Sequence, residues 1–215
     1  MNKSKLNVIH ETNHYIVVVK PAGILSQEDI TKDVNMMDLI KDYIKVKYEK
    51  PGNVFLGLVH RLDRMTSGLM VYAKTSKGAS RLSESIRNKT FTKKYLCVCE
   101  GIIKGSGTLK DKVAFNEKEL KAYVSDNGKD AVLNYKAISN DGKNTLLEIE
   151  LITGRHHQIR LQLSNINHPL VGDSLYGSKN KCNIKLHAYY LSFLDPISKE
   201  KIEFVNYPNW YKNIE

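Results

Sequence analysis

Apolar residues along this chain fall into short runs cut by turn signals, and the spacing within each run predicts its element. Tyr15-Ile-Val-Val-Val19 is β-branched and stops at Lys20-Pro21-Ala22-Gly23, so it reads as a strand closed by a turn. The residues ahead of it, 1–14, are polar, with a frayed start expected. From 34 to 48 the period changes: Met36, Leu39, Ile40, Tyr43 and Ile44 recur at three and four residues, which predicts an amphipathic helix with Asp38, Lys41, Asp42 and Lys45 outside. Val54–Val59 and Leu69–Ala73 read as two short buried strands. A second helix follows, capped by Ser76, with Ala79, Leu82 and Ile86 as its inner face.

Thr92–Gly101 is the next strand, and 102–128, rich in glycine and mixed charge, reads as hairpin strands and loops. Ala131–Ile138 and Leu147–Leu151 are strands, the latter with Leu147, Ile149 and Leu151 inward and Glu148 and Glu150 outward. After a Thr153-Gly154 turn, Ile159, Leu163 and Ile166 fit one helical face. A turn-rich loop over 167–177 and a last strand over Lys201–Val205 complete the pattern.

The polar segment between the two short strands carries the candidate chemistry. His60-Arg61-Leu62-Asp63-Arg64-Met65-Thr66-Ser67-Gly68-Leu69 places one acid among three cationic or titratable side chains. Nearby positive charge from His60, Arg61 and Arg64 favours an ionised Asp63, able to serve as nucleophile or base. Thr66, Ser67 and Gly68 supply small donors and a flexible backbone position. The same pattern also fits a solvated turn with a surface ion pair, and pattern alone leaves both readings standing.

Charge narrows the partners. The 215 residues hold 33 Lys and Arg against 23 Asp and Glu, a formal +10, and an excess of that size suits a polyanion, nucleic acid first. No apolar run reaches the roughly 20 residues of a membrane span, and the start lacks the apolar stretch of a secretion signal, so a cytoplasmic protein with no membrane partner is expected. Three cysteines make a poor disulfide framework; Cys97 and Cys99 would share one side of a strand as small core residues. His156-His157 taken cold suggests a metal, but no His-Glu-x-x-His pattern accompanies it, and none is expected.

The ten-residue HRLDRMTSGL loop resembles the signature of the RluA-type pseudouridine synthases, which isomerise uridine to pseudouridine in RNA. Four further segments agree in order: Lys20-Pro-Ala-Gly23; Lys93-Lys-Tyr95 ahead of a strand ending in Glu100-Gly101; Gly154-Arg-His-His-Gln-Ile-Arg160, similar to Gly-Arg-x-His-Gln-Ile-Arg; and His168-Pro169 through Gly172-Asp173 to Tyr176-Gly177, before Leu186-His-Ala188. The resemblance spans about residues 15–205. One departure is Leu161-Gln162, where many relatives have Val-His, a packing change that also removes one RNA contact.

The resemblance implies an α+β pseudouridine-synthase fold, a mixed, largely antiparallel sheet flanked by helices, with the active-site cleft across it. It implies a single catalytic domain over 1–215, with no room for the amino-terminal RNA-binding domain many relatives carry. Asp63 would be the catalytic aspartate, Arg160 its salt-bridge partner, and Tyr95 the ring against aspartate and uracil. Arg61 would enter the space of the flipped base or grip its phosphate, Arg64 would support the backbone, and His60, Thr66, Arg155, His157 and Gln158 would complete the RNA-binding set. No cofactor, metal or nucleotide is needed, the partner is a stem-loop of ribosomal or transfer RNA, and a monomer is the working expectation. The competing reading is a noncatalytic RNA-binding or ribosome-assembly factor. A phosphatase or aspartic-protease reading fails on Met65, which stands where each pattern needs an acid.

Overall fold

β1 (Asn7–Glu11) and β2 (Tyr15–Lys20) form the first antiparallel pair in a computed structural model that describes residues 6–211. β1 occupies part of the segment expected to be polar and frayed; residues 1–5, to which the frayed start also applied, lie outside the described residues. The described residues divide into two compact units, one running from 6 to Thr92 and taking in Tyr190–Asn206, the other taking Lys93–Tyr189 and Tyr207 to Tyr211.

In the first unit α1 (Met36–Lys47) buries Met36, Ile40 and Ile44, four residues apart, as its periodicity requires. Asn35 caps it by accepting a hydrogen bond from the Asp38 amide at 3.1 Å. Only two residues of the expected 54–59 strand pair, forming β3 (Gly57–Leu58) against β4 (Ser67–Ala73). The rest of that run is apolar because Val54 and Leu56 are buried without a ladder. Gly57 permits the close approach here: a Cβ on it would stand 3.1 Å from the Ala79 side chain.

The cap of α2 (Ser76–Arg87) is Thr75, whose Oγ1 accepts from the Gly78 amide at 3.1 Å, one residue earlier than expected. Leu82 is fully buried on its inner face, whereas Ile86 is left 37% exposed in the last turn. β4 is the spine of this unit. It pairs with β2 in a register that sets Leu69 opposite Val19 and Gly68 opposite Lys20, so the root of the HRLDRMTSGL loop lies beside the end of β2.

The second unit is an antiparallel sheet in the order β5 (Thr92–Glu100), β9 (Asn144–Leu151), β8 (Lys129–Asn140), β6 (Ser106–Asn116) and β7 (Lys121–Val124). β6 and β7 are the hairpin expected within 102–128. α3 (Gln158–Asn165) packs through Leu161 on Val113, Ala122 and Ala131, together with Tyr176. Cys97 and Cys99 are buried small residues of β5. β10 (Leu186–Leu194) starts in this unit and ends in the first, where its residues from Tyr190 pair antiparallel with β11 (Lys201–Val205). Leu191 and Phe193 there join Tyr15, Val17, Leu69, Val71 and Leu82 in one apolar cluster. Helices and antiparallel strands segregate as an α+β fold, as expected. Among the described residues no helix is long and apolar enough to cross a membrane.

Candidate active site

Asp63 sits half-buried in the turn joining β3 to β4, closed by a hydrogen bond from the Thr66 amide to the Asp63 carbonyl at 3.0 Å. The backbone on each side of it is fixed by a buried polar side chain. Before it, Ser26 Oγ donates to the Leu62 carbonyl at 2.7 Å and accepts from the Leu62 amide at 3.1 Å. After it, the Arg64 carbonyl accepts from Lys20 Nζ at 2.9 Å and from the Gly23 amide at 2.8 Å. Among the described residues of this unit no side chain hydrogen-bonds the Asp63 carboxylate, so its lone pairs are uncommitted there.

Lys20 is completely buried and donates also to the carbonyls of Pro21 at 3.0 Å and Ile24 at 2.6 Å. Burial pulls its ammonium down to about 7; the Asp63 carboxylate opposes that and Arg64 adds to it. Three carbonyl acceptors match the three N–H donors of the charged form alone, so losing the proton leaves one carbonyl without a donor. Lys20 is thus a positive charge in the Asp63 neighbourhood that sequence reasoning, which looked to His60, Arg61, Arg64 and Arg160, did not name. The signal was present, because a lysine ending an otherwise apolar strand was unlike its neighbours.

Two loop residues of the expected RNA-binding set, His60 and Thr66, are buried, and Arg64 is placed as the backbone support it was expected to be. His60 is 8% exposed, accepts the Val71 amide at Nε2 (3.1 Å) and stands edge-on to Phe91, 5.2 Å between centroids, because the flanking apolar run draws its ring into the core. Thr66 is 3% exposed for the same reason. Arg64 is tied by Nε to the Gly23 carbonyl at 3.1 Å and by Nη1 to Asp33 at 2.8 Å, a backbone support rather than a neighbour for the Asp63 carboxylate. Arg61 alone of the loop cations is exposed with no hydrogen bond or ion pair among the described residues.

Tyr95 and Arg160 belong to the second unit. Tyr95 is buried in β5, opposite Ile149. Arg160, on the first turn of α3, is 4% exposed and grips Asp173 with two parallel bonds, Nε to Oδ2 at 2.7 Å and Nη2 to Oδ1 at 2.8 Å. Asp173 is wholly buried in a turn whose amides at Tyr176 and Ser178 bond back to its carbonyl, and sequence reasoning left it without a role.

Gln158, 2% exposed, is spent inside this unit: Oε1 accepts from Thr153 Oγ1 and the Arg155 amide, both 2.9 Å, and Nε2 donates to Gln162 Oε1 at 3.0 Å. These bonds shape the turn into α3. Gln162, at the departure from the family pattern, is fully buried and donates to Asp111 Oδ2 at 2.7 Å, a packing role. Arg155 donates by Nε to the Asp130 carbonyl at 2.8 Å, and His157 Nδ1 lies 3.0 Å from the Tyr176 hydroxyl. Among the described residues no three His, Cys, Asp or Glu side chains cluster so as to hold a metal ion.

Comparison with known proteins fits this arrangement. Residues 14–165 match the family model described as RNA pseudouridylate synthase. An uncharacterised RNA pseudouridine synthase of Bacillus subtilis is 33% identical over 205 residues, covering 92% of this chain and 67% of that protein. Ribosomal large subunit pseudouridine synthase D of Xanthomonas campestris is 34% identical over 218 residues, covering 92% and 64%. The chain therefore spans between about half and two thirds of the length of the curated relatives it matches. Among solved structures, human RNA pseudouridylate synthase domain containing 4 superposes with a TM-score of 0.79 at 22% identity, covering 96% of this chain and 90% of that one, which is a likeness of fold.

Proposed function

The chain belongs to the RNA pseudouridylate synthase family, and on that premise we propose that it isomerises specific uridines of structured RNA to pseudouridine. The observation that supports this reading best is Asp63: an acid held in a fixed turn by Ser26 and Lys20, with no hydrogen bond to its carboxylate from the described residues of its own unit. A carboxylate so placed is available to a substrate.

The reaction breaks the bond from the sugar C1′ to N1 of uracil, turns the ring, and joins C1′ to C5. C5 gives up its proton and N1 ends protonated. Atoms and electrons are conserved, so no redox partner or energy source enters. Asp63 is assigned the anionic role at the sugar–base bond, Tyr95 the face of the uracil, and Arg160 the balancing positive charge. Arg61, exposed and uncommitted, is assigned to the extraction of the nucleotide. Flipping costs a few kcal/mol, and stacking on one aromatic ring returns about 1–3 kcal/mol, so phosphate contacts from Arg61 supply the remainder.

The relatives named for the large ribosomal subunit make its RNA the first substrate to try, with transfer RNA next. Pseudouridine mapping across RNA from cells with and without this gene tests the reading. One or a few positions that lose the modification are expected; an unchanged map with intact RNA binding would instead favour a noncatalytic RNA-binding or assembly factor.

A further inference from the structure

Phe115, His156, His157 and Tyr176 form a ring array in the second unit that the assigned chemistry does not use. His156 lies face to face on His157, with centroids 4.8 Å apart and planes inclined by 8°. Phe115 meets His156 edge-on at 4.1 Å and 86°, and Tyr176 meets His157 at 5.6 Å and 88°.

Three of these four rings are fastened. Phe115 packs on the cluster of Val113, Ala122, Ala131, Leu161 and Tyr176. Tyr176 accepts the Ala122 amide at its hydroxyl (2.8 Å), and the same hydroxyl lies 3.0 Å from His157 Nδ1. The His157 backbone is left-handed, φ 53°, which a non-glycine residue holds only when its surroundings impose it. These contacts tie the start of α3 to β7 and account for His157 and Tyr176 as structure.

His156 is the ring they leave over. It is exposed, it occupies the unspecified position of the Gly-Arg-x-His-Gln-Ile-Arg segment, and its burial adds nothing to the core. A planar side chain held flat on this ring array, with the guanidinium-bearing Arg155 as its chain neighbour, offers a ring face and a positive charge close together. Unpaired nucleobases in a polyanionic strand take that combination, since every base has a π-face and the phosphates meet the positive charge.

We infer that His156 is a stacking platform for an unpaired nucleobase of the RNA substrate. The inference rests on the RNA reading above but not on catalysis. A single-stranded 12-mer of adenylate serves as the probe, followed by proton NMR of the histidine Cε1–H resonances and by anisotropy. The His156 resonance is expected to move upfield and saturate, His156→Ala to weaken binding by about fivefold or more, and His156→Phe to restore it.

An unmoved His156 resonance at saturating probe, an Ala variant that binds like the parent, a Phe variant no better than Ala, or no binding of the probe overturns the inference. Pseudouridine formation by the unaltered chain is scored separately. Product made with His156→Ala as sensitive as the parent to added adenylate sinks the platform alone, whereas His156-dependent binding without product sinks the isomerase reading alone.

Discussion

Ser26 holds Leu62 by both of its backbone groups, donating to the carbonyl at 2.7 Å and accepting from the amide at 3.1 Å. Both residues are buried, and Leu62 immediately precedes Asp63. The pair is 36 residues apart in sequence, so the acid's position depends on a side chain well outside its own loop.

Ser26→Ala is therefore expected to lower stability by about 2 kcal/mol, because a buried amide and carbonyl lose their partner. Activity should fall further than stability explains, with kcat reduced more than KM. Urea unfolding and steady-state kinetics together check this; an unchanged kcat would mean the clamp does not position Asp63.

Lys20 makes stability depend on pH in a definite direction. Its folded value of about 7 lies below the ordinary 10.5, so between those two the unfolded chain binds the more protons and stability rises with pH. Lys20→Met removes the group. The difference in urea midpoint between the parent and this variant should grow in the parent's favour from pH 7 to pH 10, and a flat difference would contradict the buried ammonium.

Glu11 works at the other end of the scale. Burial alone would raise its carboxyl, but hydrogen bonds from Lys47, Lys74 and Tyr48 outweigh it and hold the group at about 2. Its folded value is depressed, so the stability it contributes is present above about 4.5 and is lost as pH falls toward 2. Glu11→Gln should unfold at lower urea than the parent at pH 7, and the gap should close across that acid window.

Asp173→Asn is expected to destabilise the fold by about 3 kcal/mol, since Arg160 loses the carboxylate that grips it in two places inside a buried turn. Thermal melting reads this directly. A shift below about 1 kcal/mol would show the pair to be dispensable.

The fold was legible where burial obeys a simple period. The β-branched run of β2 and the four-residue spacing of Met36, Ile40 and Ile44 in α1 state their elements outright. It was less so where burial comes without pairing: the 54–59 run is as apolar as a strand, yet only Gly57 and Leu58 join a ladder. Within the loop, charge pattern singled out Asp63 and Arg61, but it did not show that His60 and Thr66 are buried, because a buried polar side chain looks the same in sequence as one facing solvent. Lys20 left a trace, a lysine closing an apolar strand, but Asp173 did not: it is a charge buried by Arg160 inside a turn, and composition carries no sign of that partner.

The most direct measurement compares the parent with Asp63→Asn on transcribed large-subunit ribosomal RNA and on total transfer RNA, reading bound RNA and newly formed pseudouridine in the same samples. The expected result is that the variant retains RNA within a few-fold of the parent and forms no pseudouridine. Product formed by Asp63→Asn at the parent's rate would contradict the assignment of Asp63 as the group that carries the reaction.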